Sequence, residues 1–138
     1  MFTVSSRVPA PETSSAAAAG TGNAAAMMRR YARPILEEAV QLYRTAEEAE
    51  PGRYRGELTR ALDHLGASLR TLGRPEQALV VIGEAVELYR VLIKMDLRAY
   101  QRRLADALIV RSAVLLDLGR FEEARDVRQE ADLYGRTS

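Results

Sequence analysis

The chain has 138 residues, 47% of them hydrophobic, which suffices for one domain with a core once more than roughly 70 to 80 residues are ordered. Twenty basic against nineteen acidic side chains leave a formal charge of +1, so no overall field draws the protein to nucleic acid or to an anionic membrane. The lack of cysteine excludes a disulfide framework, a thiolate nucleophile and a cysteine-based metal site, and leaves the redox compartment open. Ala, Leu, Arg and Glu dominate and tryptophan is absent, a composition of good helix formers that predicts an all-α fold. Every basic residue but Lys94 is arginine, which reads as the codon bias of a GC-rich genome and not as an RNA-binding signature.

Residues 1–27 are rich in Ala, Ser, Thr, Gly and Pro and poor in large apolar side chains, so they are expected to form a disordered tail. Arg7, Pro9, Pro11, Glu12, Gly20, Gly22 and Asn23 interrupt any apolar run there, and the pattern is not that of a secretory signal. Met27 and Met28, just before the structured part, offer an alternative translation start. No stretch approaches the roughly 20 apolar residues of a membrane span, which makes a cytoplasmic location the expectation. The repeat domain is expected over 28–138. Its first element is a helix over about 34–50, ended by Pro51 and Gly52. Leu58, Leu62, Leu65, Leu69 and Leu72 then place an apolar stripe on one face of a second helix. Gly73 suits the left-handed end of that helix, and Pro75 suits the first turn of a third, which runs to about Met95 with Ala78, Val81, Ile82, Ala85 and Leu88 inward. Asp96 is a candidate N-cap for a fourth helix over about 97–118, and a fifth follows over about 121–134.

These elements repeat. Residues 38–83 and 84–129 align without a gap at 18 identities in 46 positions, among them Glu38 with Glu84, Tyr43 with Tyr89, Arg44 with Arg90, Tyr54 with Tyr100, and Leu72-Gly73-Arg74 with Leu118-Gly119-Arg120. A third partial copy begins at Glu130 and Ala131. The helices accordingly group into repeats over about 53–95 and 97–134, preceded by an orphan second helix at 34–50.

The segment LDHLGASLRTLGRPEQALVVIGEA resembles the tetratricopeptide repeat, with Leu62, Leu65, Gly66, Leu69, Gly73, Ala78, Ile82 and Ala85 at the family's spacings. Gly66 and Ala78 stand where the two helices of a unit would cross closely, and Ala85 where the next unit would pack. The resemblance covers about residues 32–134 and implies a right-handed superhelical solenoid of antiparallel helix pairs, about five helices in all. The 46-residue period is longer than the family's usual 34, as in the long-helix variants of bacterial repeat proteins and kinesin light chains. The second unit departs from the pattern: Arg111 and Arg128 stand where large apolar residues belong, Ser112 replaces the glycine, and no polar capping helix follows the last helix.

What the resemblance implies is a scaffold or adaptor that binds another protein or peptide, with no enzymatic activity and no cofactor. The positions matching the family's concave, ligand-facing set are Arg60, Asp63, His64, Ala67, Arg70 and Thr71 in the first unit, and Asp106, Ile109, Val110, Ala113, Leu116 and Asp117 in the second. The Lys and Asn of the family's carboxylate clamp are missing, since Asp63 and Ala67 occupy those positions. The alternative is self-association, a homodimer or larger assembly built through the uncapped end, or a remnant of a larger regulator. His64 is the only histidine and has no partner for a triad or metal site, so catalytic and metal-binding residues are expected to be none. Adjacent carboxylates such as Glu37 and Glu38, or Glu122 and Glu123, diverge around a helix. Arg98, Arg102 and Arg103 form the densest basic cluster, but without stacking aromatics they do not make a nucleic-acid site. The repeated tyrosines are expected to pack against the scaffold with their hydroxyls at the surface.

Overall fold

A computed structural model of the chain describes the backbone of residues 14–135 and the side chains of 30–135. Among the described residues there are five helices and no strand: α1 (Ser14–Ala49), α2 (Arg55–Thr71), α3 (Pro75–Met95), α4 (Leu97–Asp117) and α5 (Phe121–Gly135). The chain divides into one unit over Met1–Tyr31 and a second over Ala32–Ser138, and the second holds the core. None of these helices is long and apolar enough to cross a membrane.

The main departure from expectation is α1, which begins at Ser14 and not near Pro34. Residues 14–27, expected to be disordered, are therefore helical in backbone; the same expectation for 1–13 lies outside the described residues. Alanine explains the difference, because it loses almost no side-chain entropy on entering a helix and needs no burial to favour one. Pro34 falls inside the helix instead of opening it, at the cost of one backbone donor.

The other boundaries follow from local chemistry. Gly73 and Gly119 adopt positive φ of 77° and 76°, the left-handed geometry that ends α2 and α4 at matching points of the two units. The Arg74 N–H then closes on the Leu69 carbonyl at 2.9 Å, and the Arg120 N–H on that of Leu115 at 2.8 Å. Pro75 occupies the first turn of α3, and Asp96 caps α4 by accepting from the Ala99 N–H at 3.1 Å. The start of α2 is capped from a distance: Glu47 of α1 accepts from the Gly52 N–H at 2.6 Å and the Tyr54 N–H at 2.9 Å. Those two donors hold its carboxyl below the usual range.

α2 packs on α3, α3 on α4 and α4 on α5, with a lesser contact between α2 and α4. The core is the leucine stripe of α2 (Leu58, Leu62, Leu65, Leu69) against Ala78, Ile82, Ala85, Val86 and Tyr89 of α3, joined by Leu104, Ala107, Leu108 and Val114 of α4. Each fully buried Leu or Ile contributes about 1.5–3 kcal/mol relative to exposure. Gly66 sets the α2–α3 approach, because a Cβ there would lie 3.1 Å from the Cβ of Ile82. α5 buries only Ala124 and Ala131, while Glu122, Glu123, Arg125, Asp126, Arg128, Gln129 and Asp132 are exposed. The outer surface of α5 is thus largely polar, with Phe121 and Leu133 as exposed apolar exceptions.

Two ion pairs tie the second helices of successive units together. Arg44 of α1 holds Glu84 of α3 with both terminal nitrogens, at 2.6 and 2.8 Å. One unit later Arg90 of α3 holds Glu130 of α5 the same way, the Nη2 bond being 3.0 Å. The aromatic pairs follow suit, Tyr43 with Tyr54 at 6.5 Å between centroids and Tyr89 with Tyr100 at 6.4 Å.

Candidate functional site

The exposed faces of α2 and α4 carry the residues that matched the family's ligand-facing set, and helical spacing decides which of them meet. Arg60, His64, Arg70, Asp106, Ile109 and Asp117 are exposed, whereas Asp63, Ala67, Val110 and Ala113 are half-buried. Arg70 and Asp117 come together across the two helices, with Arg70 Nε donating to Asp117 Oδ2 at 2.8 Å. Both were expected to face a partner, and they face each other. Asp106 is engaged on its own helix by Arg102, 3.6 Å away.

Asp63 sits deeper than an exposed groove position would. It accepts a hydrogen bond from the Tyr89 hydroxyl at 3.2 Å, so one of the repeated tyrosines keeps its hydroxyl inside the protein. The expectation of a surface hydroxyl fails at Tyr89 because Asp63, one helix away, supplies the acceptor that water would otherwise provide. Burial pushes the Asp63 carboxyl up, against the opposing pull of the Tyr89 hydrogen bond and the nearby His64. Burial also drives the Tyr89 phenol well above its ordinary value, and the Asp63 charge adds to that.

Beside this pair a cleft of about 310 Å³ opens between α2, α3 and α4, lined by Gly56, Glu57, Arg60, Tyr89, Ala99, Tyr100 and Arg103. Gly56 leaves room for the Tyr100 hydroxyl, which would lie 3.1 Å from a Cβ. Arg60 was anticipated here, but Arg103, Tyr100 and Glu57 were not. The tyrosine repeat and the Arg102-Arg103 pair were visible in the sequence; what was not visible is that Arg102 turns to Asp106 while Arg103 turns into the cleft. Neither Arg60 nor Arg103 forms an ion pair among the described residues, so the cleft carries two guanidinium groups beside the single lining carboxylate of Glu57.

Toward the other edge of the face the character changes. Asp63 and Arg70 of α2 look toward α3 and α4, where Tyr89 and Asp117 meet them; the matching residues of α4 are Ile109 and Leu116, which are 38% and 51% exposed. On α4, Leu108, Val114 and Leu115 are buried while Ile109 and Leu116 on the other side are exposed. Among the described residues no three His, Asp or Glu side chains converge as metal ligands.

Comparison with known proteins adds one finding. Residues 58–94, which run from within α2 to the last turn of α3, match a family model described as "Tetratricopeptide repeat", and this stretch is a tetratricopeptide repeat. Repeats of that kind generally mediate protein–protein interaction. No curated protein and no solved structure matches the chain.

Proposed function

We propose that this chain, with its tetratricopeptide repeat at residues 58–94, is a non-enzymatic adaptor that binds a segment of another protein along the face shared by α2 and α4. The observation that carries the reading is the pairing on this face of a cleft with two guanidinium groups outside any ion pair among the described residues, Arg60 and Arg103, and an exposed apolar edge, Ile109 and Leu116. A segment with an acidic residue near one end and apolar side chains beyond it fits both. Buried apolar contacts would supply most of the affinity, and the arginines would fix orientation and speed encounter. Arg70 and Asp117 act as a strut that holds α2 and α4 at a fixed spacing, and are not contact residues.

The test is affinity capture from native lysate followed by mass spectrometry, comparing wild type with the triple variant Arg60→Glu, Arg103→Glu, Ile109→Glu. Val80→Glu, at a 72% exposed site on α3, serves as control. Proteins captured by wild type and by Val80→Glu but lost from the triple variant support the reading. The same set returning from all three would refute it.

A further inference from the structure

A three-residue pattern recurs once per unit on α1, α3 and α5: Ile35-Glu38-Leu42, Val81-Glu84-Leu88 and Val127-Glu130-Tyr134. The spacing i, i+3, i+7 puts each triplet on one flank of its helix. On α3 that flank is covered: Val81 and Leu88 are half-buried against the core, and Glu84 between them receives Arg44 from α1. On α5 it is covered in the same way, with Val127 and Tyr134 packed on the core and Glu130 receiving Arg90 from α3. In both cases the glutamate of the flank is held by an arginine of the preceding second helix, α1 for α3 and α3 for α5.

On α1 the triplet is bare. Ile35 is 64% exposed and Leu42 is 65% exposed, while Glu38 enters no ion pair among the described residues. Beneath them Leu36, Ala39 and Tyr43 pack on the core, and Val40 is part of it, so the helix is seated in the fold by its other side. α1 therefore presents, exposed among the described residues, the triplet whose counterparts on α3 and α5 are partly buried and ion-paired.

We propose that the Ile35-Glu38-Leu42 flank of α1 is a docking site for a helical hairpin of another protein, one that lays an amphipathic helix over Ile35 and Leu42 and extends an arginine to Glu38. The chemistry of the occupant is read from the protein's own α1–α2 hairpin, whose Arg44 reaches the glutamate of the matching flank on α3 with both terminal nitrogens. The surface lies apart from the α2–α4 face and does not rest on the reading given for it.

The probe is a fluorescently labelled peptide of residues 34–73, the α1–α2 hairpin itself, titrated into the full chain and followed by anisotropy, with sedimentation velocity of the full chain alone. Leu42→Glu in the full chain should weaken peptide binding by at least about tenfold, as expected for charging the centre of an apolar contact. Glu38→Arg should weaken it less, and a peptide carrying Arg44→Glu should bind the Glu38→Arg chain better than the wild-type peptide does. Ile109→Glu should leave peptide binding unchanged. The exposure of Ile35 and Leu42 leaves these variants folded, which circular dichroism checks. Absence of binding, equal binding to Leu42→Glu, or no recovery by the charge swap would overturn the proposal. So would a dimer of the full chain that Leu42→Glu dissolves, because the flank would then belong to a second copy.

Discussion

The two helix pairs α2–α3 and α4–α5 use one backbone plan with opposite chemistry at its centre. In the first, Gly66 lets Ile82 come close, and Leu65 and Ile82 are buried. In the second, the matching positions hold Ser112, Arg111 and Arg128. Arg128 is exposed, Ser112 is buried with its hydroxyl donated to the Ile109 carbonyl at 2.7 Å, and the Nε of Arg111 is buried without a hydrogen-bond partner. The turn glycines and the interhelical arginine–glutamate pairs are nevertheless the same in both. Helix placement is thus specified mostly at helix ends and at the Arg–Glu links, while the middle of the pair decides how firmly the unit is held.

The sharpest way to break this comparison is at the matched pair Ile82 and Arg128. Ile82→Ala should cost about 2–5 kcal/mol in denaturant unfolding, whereas Arg128→Ala should fall within about 0.5 kcal/mol. Equal effects would mean that the two pairs are equally held. Next in size, Gly66→Val forces α2 and α3 apart and should cost about 1–3 kcal/mol, with the α3 amides losing hydrogen-exchange protection before those of α4. Arg111→Leu restores the apolar residue of the first unit and removes a buried unpaired donor, so it should raise stability by about 1 kcal/mol; a loss would show that the guanidinium is paired in solution.

The smallest effect concerns the matched residues Asp63 and Ile109. The folded state raises the Asp63 carboxyl, so the folded protein keeps this proton to higher pH than the unfolded chain does. The resulting stabilisation is complete at low pH and is lost as pH rises through the folded-state value. Asp63→Asn should therefore raise Tm at neutral pH, with the gain shrinking as pH falls through the raised folded-state value and gone below the ordinary carboxylate range. A gain independent of pH would trace to something other than this ionisation.

Much of the architecture was legible because its signals are local. Gly73, Pro75 and Asp96 each announce a boundary through backbone geometry or a side-chain cap, and the boundaries of α3 and the start of α4 fall where those residues put them. The start of α1 was not legible, because the argument from burial ignores what alanine does without burial. The candidate site was readable only in outline. The resemblance assigned Arg60, Asp63, Arg70, Ile109 and Asp117 to α2 and α4, but did not reveal that Arg70 and Asp117 satisfy each other, or that Asp63 is held by Tyr89. Such pairings join residues 26 or 47 positions apart, and they depend on how far two helices approach.

The chain-neighbour pattern of helix packing has a kinetic meaning. Since the main apolar contacts join helices adjacent in sequence, no long loop must close before the core begins to form, and contact order is low. Stability then spreads from the α2–α3–α4 centre by nearest-neighbour coupling, and α5, with two buried alanines, can fray while that centre stays intact. A ligand resting on the outer part of α4 slows opening of the weaker end, whereas one seated over α2 and α3 adds to the region already slowest to exchange.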